Sequence, residues 1–184
     1  MSNKIFDFNS ANYNSFLEDF RNNPNQKRTI VLAGNFKENR TYALSQFQSE
    51  TLSEVHEISL ASYITKFEDE SYEQIDALFE ELQKVNGLIV FKDAEQLCGV
   101  YTGHTYSVVK YATPQEKYFI QKLKQLKNPA ILEFNNEQHL DKAIIREADA
   151  VIRFPVPSSL LERIFFAITQ FRINGSNLPS QRPV

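Results

Sequence analysis

The sequence is poor in the residues that most often carry chemistry. Among 184 residues there are one cysteine, three histidines, five glycines and no tryptophan. The lone cysteine, Cys98, excludes an intrachain disulfide and fits a reducing compartment. Such a thiol is either a small buried hydrophobe or a reactive nucleophile. His56, His104 and His139 lack the spacing of metal ligands, and without a cysteine cluster there is no case for zinc. No Ser-His-Asp or Cys-His arrangement stands out, so no catalytic and no metal-ligating residue is expected. A formal charge of −3 gives no basis for nucleic acid or an anionic membrane as an obligatory partner. The stretch Met1 to Asp7 lacks the apolar run of a signal peptide, and nothing approaches the length of a membrane span. The expected location is the cytoplasm.

What is there is a chain 42% hydrophobic and 23% charged, enough for one globular domain with a sizeable core. Strand and helix patterns alternate along it, without repeats or low-complexity tracts. Residues 1–28 read as an N-terminal helical or irregular segment, in which Ser10 caps a short helix carrying Tyr13, Phe16, Leu17 and Phe20. Residues 29–174 read as the α/β domain, and 175–184 as a polar tail. Buried strands are predicted at Thr29–Ala33, Leu88–Phe91, Pro129–Phe134 and Ala150–Phe154. Glu54–Leu60 alternates like a strand nearer the sheet edge. Helices are predicted over Arg40–Gln48, Asp69–Val85, from Pro114, and after Pro157, the last with Leu160, Leu161, Ile164, Phe165 and Ile168. Residues 98–113 read as an insertion or hairpin. The expected architecture is a three-layer sandwich around a mostly parallel, five-stranded sheet.

Two stretches carry candidate function. Leu88-Ile89-Val90-Phe91 leads into Lys92-Asp93, at the carboxyl end of a central strand, where ligands of parallel sheets sit. In a nucleotide hydrolase these two positions would be Asp and Glu. Gly34-Asn35-Phe36-Lys37-Glu38-Asn39-Arg40-Thr41 lies between a strand and a helix, where a phosphate loop of the pattern G-x-x-x-x-G-K-[ST] belongs. Gly34 and Thr41 match that pattern. Asn39 replaces the second Gly, as the residue that best tolerates positive φ after glycine. Arg40 replaces Lys and keeps the charge but not the shape. On its own the stretch is equally an ordinary strand-to-helix loop.

Taken together, the segments resemble the AAA-type ATPase family, in its bacterial stand-alone branch, over roughly residues 29 to 168. Ser59 to Ser71 resembles the family's S-K-Y-I-G-E-T region, and the helix with Ile75, Leu78 and Phe79 its N-L-x-x-x-F helix. Val90 to Leu97 stands for F-F-D-E-A-D-A-L, followed by Gly99. Tyr111-Ala112 resembles a Y-A pair, and Ile131-Leu132-Glu133-Phe134-Asn135 resembles the sensor strand I-L-x-T-N. His139 to Ala143 and Phe154 to Pro157 resemble L-D-x-A and F-P-L-P. The resemblance implies a phosphate-loop NTPase-like fold corresponding to the AAA large subdomain, without room for its C-terminal lid. It places Gly34, Asn39, Arg40, Thr41, Lys92, Asp93 and Asn135 at a vestigial or atypical nucleotide site. It likewise makes Lys66 and Phe67 pore-loop-like, although Phe67 also suits a core or an interface. Arg146 becomes arginine-finger-like, while Glu147 replaces the second arginine of the family's pair.

The departures define the expected function. A Lys within about 4 Å of a divalent cation is repelled by several kcal/mol even at an effective dielectric near 20. Metal-dependent hydrolysis is therefore not expected. Lys92 either pairs with Asp93 or Glu133 at a strand end, or its ammonium replaces the metal. The expected function is a pseudo-ATPase serving as an interaction, assembly or regulatory module. Its partner would be an active AAA protein, an assembly component or itself. The alternatives are a slow ATPase and a nucleotide-binding switch. No cofactor is expected, with ATP or ADP bound without magnesium as the open exception.

Overall fold

The computed structural model describes residues 4–34, 37–51, 54–63, 68–98, 113–155 and 160–169. The strands are β1 (Ile5–Asp7), β2 (Thr29–Ala33), β3 (Val55–Ser59), β4 (Leu88–Lys92), β5 (Ala130–Phe134) and β6 (Ala150–Arg153). The helices are α1 (Ala11–Asn22), α2 (Lys37–Glu50), α3 (Glu68–Leu82), α4 (Glu95–Cys98), α5 (Pro114–Gln125), α6 (Lys142–Glu147) and α7 (Leu160–Thr169). Ser10 caps α1 by accepting from the Tyr13 amide, and Thr113 caps α5 by accepting from the Glu116 amide, with Pro114 opening that helix.

The strands form one sheet in the order β1-β6-β2-β5-β4-β3, every pair parallel. This corrects the expected strand count from five to six. The additional strand, β1, pairs Ile5, Phe6 and Asp7 with Val151, Ile152 and Arg153. Three residues are too few to show a period of two, so only the partner strand reveals it.

Connections after β1 and β2 move toward the β3 edge, and those after β3, β4 and β5 move back. Right-handed crossovers therefore place α1 and α2 on one face and α3 to α6 on the other. Two cores result. Val31, Ala33, Ile89, Phe91, Leu132 and Phe134 pack with α3 to α6, while Ile30, Leu32, Leu88, Val90, Ile131 and Ile152 pack with α1 and α2. Adjacent residues of one strand serve opposite cores, which is why the central strands read as unbroken apolar runs.

None of the described side chains of α7 belongs to either core, and Leu160, Leu161, Ile164 and Ile168 are exposed. Among the described residues, no helix is long and apolar enough to cross a membrane.

Candidate functional site

The alternation that fills the second core also builds the cleft. Continued past the apolar residues, it sets Glu57, Lys92 and Glu133 on the face shared by Val55, Val90 and Ile131, at the carboxyl ends of β3, β4 and β5. The first turns of α2 lie opposite. β2 and β5 are neighbours whose following helices go to opposite faces, and such a switch point opens a crevice beyond the strand ends. A cavity of about 400 Å³ lies there, lined by Lys37, Arg40, Thr41, Leu44, Ser45, Gln48, Glu57, Lys92, Asp93, Glu133 and Asn135.

Arg40 points inward and is almost fully occupied by the protein itself. Its Nε donates to Glu133 Oε1 at 3.0 Å, one terminal nitrogen donates to the Gly34 carbonyl, and the other to Asn135 Oδ1. The Asn135 side-chain amide and backbone amide both donate to Glu95. A chain of charge and amide thus runs Glu133–Arg40–Asn135–Glu95. The Arg40 and Glu133 side chains are 4% and 12% exposed, so removing either would strand the other in a poorly solvated place. Gly34 has a steric reason of its own: a Cβ there would come within 3.0 Å of Phe154.

Lys92 does not pair with Asp93 or Glu133, as the sequence suggested. Its ammonium lies 2.9 Å from Glu57 Oε2. Ser59 is opposite Lys92 in the register, so Glu57 is the same-face neighbour two residues back. Asp93 turns the chain with φ of 54°, in the left-handed region where Asp is among the tolerated residues, and accepts from Ser59 Oγ at 2.9 Å. Three cations, Lys37, Arg40 and Lys92, face three carboxylates, Glu57, Asp93 and Glu133. The lining is balanced and offers a polyanion no net attraction.

The remaining sequence candidates scatter. Thr41 lines the cleft rim, whereas Asn39 is fully buried, with no hydrogen-bond partner for its side-chain amide among the described residues. Arg146 is exposed on α6, beside Glu147, and its carbonyl accepts from Lys4, away from the cleft. Lys66, Phe67 and the 99–112 stretch lie outside the described residues. Cys98 is buried, and burial, with Glu116 and Asp141 nearby, pushes its thiol well above the usual range, so it serves as a small core residue. Among the described residues, no group of acidic, histidine and cysteine side chains is arranged to hold a metal.

One residue escaped the sequence reading. Glu116 is buried on α5, and burial, reinforced by Asp141, pushes its carboxyl up to about 8; the Thr113 amide and Lys117 oppose this. The spacing Thr113-x-x-Glu116 is that of a capping box and was the available signal.

No protein-family model and no curated protein matches this chain. It is similar to a solved chain in the E. coli MS115-1 HORMA:CdnC:Trip13 complex, with a TM-score of 0.53 and 19% sequence identity, over 84% of this chain and 56% of that one. The chain thus spans little more than half the length of the chain it matches. Likeness at that identity concerns fold alone. It also corrects the family assignment: the similarity found is to a chain of a HORMA assembly, and no family model supports the AAA-type ATPases. Membership in that family is withdrawn, and with it the phosphate-loop part of the fold expectation. What stands is an α/β fold with a single all-parallel sheet. The matched segments were dominated by residues that such a sheet needs anyway. Leu132 and Phe134 fill a core, Phe154 packs in the other, and Asp141 caps α6. Of the residues that would have carried the family's chemistry, Arg40, Lys92, Asp93 and Asn135 are engaged with their own chain.

Proposed function

We propose that this chain is a non-catalytic protein-interaction or regulatory module. The inward guanidinium of Arg40 carries the reading: the cation best placed to meet a phosphate at the start of α2 is spent on Glu133, Asn135 and Gly34. A protein partner is supported by the assembly in which the similar solved chain was captured.

The second reading is magnesium-free binding of ATP or ADP. Lys37, at the start of α2, lines the cleft without a carboxylate partner among the described residues, and a helix N-terminus favours anions. Calorimetric titration of the full chain with ATP and ADP, with and without magnesium, separates the two. The interaction reading expects no binding heat in either condition. Binding without magnesium that is lost in Lys92→Asp would establish the second reading. Magnesium-dependent binding to the unaltered chain would overturn the first and call for a turnover assay.

A further inference from the structure

We infer that the cleft binds a small zwitterion of the amino acid or dipeptide class, its carboxylate against α2 and its ammonium against Asp93. This goes beyond the interaction-module reading, because it gives the cleft a ligand of its own. The lining holds six charges, and two ion pairs account for four of them: Arg40 with Glu133, and Lys92 with Glu57. The second oxygen of Glu57 accepts from the Gln48 side-chain amide at 3.3 Å, so that carboxylate is filled. Among the described residues, Lys37 and Asp93 form no ion pair, either with another residue or with each other. Lys37 stands at the start of α2 and Asp93 just past the carboxyl end of β4. One unpaired charge of each sign therefore lies on either wall of the cleft.

Each wall suits one end of such a ligand. Lys37 and Thr41 are four residues apart and share a face of α2. Lys37 also opens the helix, where the macrodipole favours an anion. A carboxylate there meets an ammonium and a hydroxyl. On the other wall, Asp93 accepts from Ser59 Oγ at 2.9 Å with one oxygen and keeps the other for an ammonium. Other charge classes fit less well. A polyanion meets the carboxylates of a balanced lining, and a bare cation leaves Lys37 unanswered. An uncharged ligand would displace water from two charges without replacing it, which is unfavourable. Size narrows the class further. At about 30 Å³ per water-sized group, a cavity of about 400 Å³ holds roughly a dozen non-hydrogen atoms. That is an amino acid or a dipeptide, and less than half of ATP.

The test is amide chemical-shift titration of the full chain with leucine and with glycylleucine, each to about 20 mM, a range that covers an expected Kd on the order of 1 mM. Saturable shifts are expected at Lys37, Thr41, Lys92 and Asp93. Leucinamide lacks the carboxylate and N-acetylleucine lacks the ammonium, so each is expected to bind at least tenfold more weakly than leucine. Lys37→Gln and Asp93→Asn test the two ends. Both are expected to leave thermal unfolding unchanged, since Lys37 is exposed and Asn tolerates the φ of 54° at residue 93. Lys37→Gln should erase the preference for leucine over leucinamide and keep that over N-acetylleucine; Asp93→Asn should do the reverse. No saturable shift with either probe overturns the proposal. So does a leucinamide or N-acetylleucine that binds as well as leucine, or a pair of variants that keeps both preferences. The nucleotide titration is read with ATP, ADP and Lys92→Asp, so failure of this site and failure of the interaction reading are distinguishable.

Discussion

Glu133 and Glu116 are poorly exposed carboxyl groups on opposite faces of the same sheet, and their surroundings treat them in opposite ways. Glu133 projects from β5 toward α2 and finds a guanidinium at 3.0 Å. Glu116 belongs to α5, on the other face, where one of its carboxyl oxygens is buried without a partner among the described residues, and burial, reinforced by the nearby Asp141, disfavours charge. One face resolves its acid by pairing it, the other by keeping it protonated. The difference follows from helix placement. Arg40 sits in the first turns of α2, aimed at the strand ends, whereas α4, α5 and α6 bring Cys98, Glu116 and Asp141 together, where Lys117 opposes the effect of burial without overcoming it. A charge held by a partner fixes the cleft's shape. A charge suppressed by burial makes the opposite face sensitive to pH.

The strongest way to break the contrast is Arg40→Ala. It leaves Glu133 poorly solvated and removes the donors to Asn135 and the Gly34 carbonyl, so a loss of about 3–5 kcal/mol is expected in urea unfolding at neutral pH. The paired replacement Arg40→Met/Glu133→Leu should recover most of that loss, because neither charge is then left alone. A double variant as unstable as the single one would show that Arg40 matters for packing and not for charge.

On the other face the expected effect is smaller and depends on pH. The Glu116 carboxyl titrates near 4.5 in the unfolded chain and near 8 when folded. Between those values the folded state keeps a proton that the unfolded state has lost. Stability from this group is therefore full below about pH 4.5, declines as pH rises and levels off above about pH 8, with a slope of at most about 1.4 kcal/mol per pH unit. Glu116→Gln keeps the shape and removes the titration. It should stabilise the fold by about 1–3 kcal/mol at pH 8, give no gain near pH 4, and flatten the profile between. Thermal melts of both chains across that range check it. An unchanged slope in the variant would assign the pH dependence to another group.

The sequence made the interior of the sheet legible and its ends far less so. Thr29–Ala33, Leu88–Phe91 and Ala130–Phe134 are apolar on both faces, a pattern that few alternatives share. β1 was hidden because its three residues become a strand only through β6. Gly34, Lys92, Asp93 and Asn135 lie at the strand ends, since a parallel sheet with strand-to-helix loops puts them there. Their partners could not be read. That Lys92 meets Glu57 depends on the register between β3 and β4, and that Arg40 turns inward depends on how α2 crosses β5. The family resemblance failed for a related reason: short apolar and capping segments recur wherever this kind of sheet is built, and so they report the fold. Glu116 shows a third limit, since its capping-box spacing is visible in sequence while its burial is a property of α4 and α6.

The smallest effect sharpens the comparison most. Lys92–Glu57 is an ion pair like Arg40–Glu133, with a similar separation of 2.9 Å, but its side chains are 39% and 45% exposed. Water already solvates much of each charge, and two long side chains must be held in place to form the pair. Lys92→Gln is therefore expected to cost less than about 1 kcal/mol in urea unfolding, and that cost should shrink further in 1 M salt, where the Debye length falls to about 3 Å. The same salt should scarcely alter the penalty of Arg40→Ala, because the buried pair lies beyond the reach of bulk ions. If Lys92→Gln instead cost several kcal/mol and ignored salt, Lys92 would belong to the inner chain of Glu133, Arg40, Asn135 and Glu95. The cleft would then be one locked unit, and not a locked floor beneath a solvated rim.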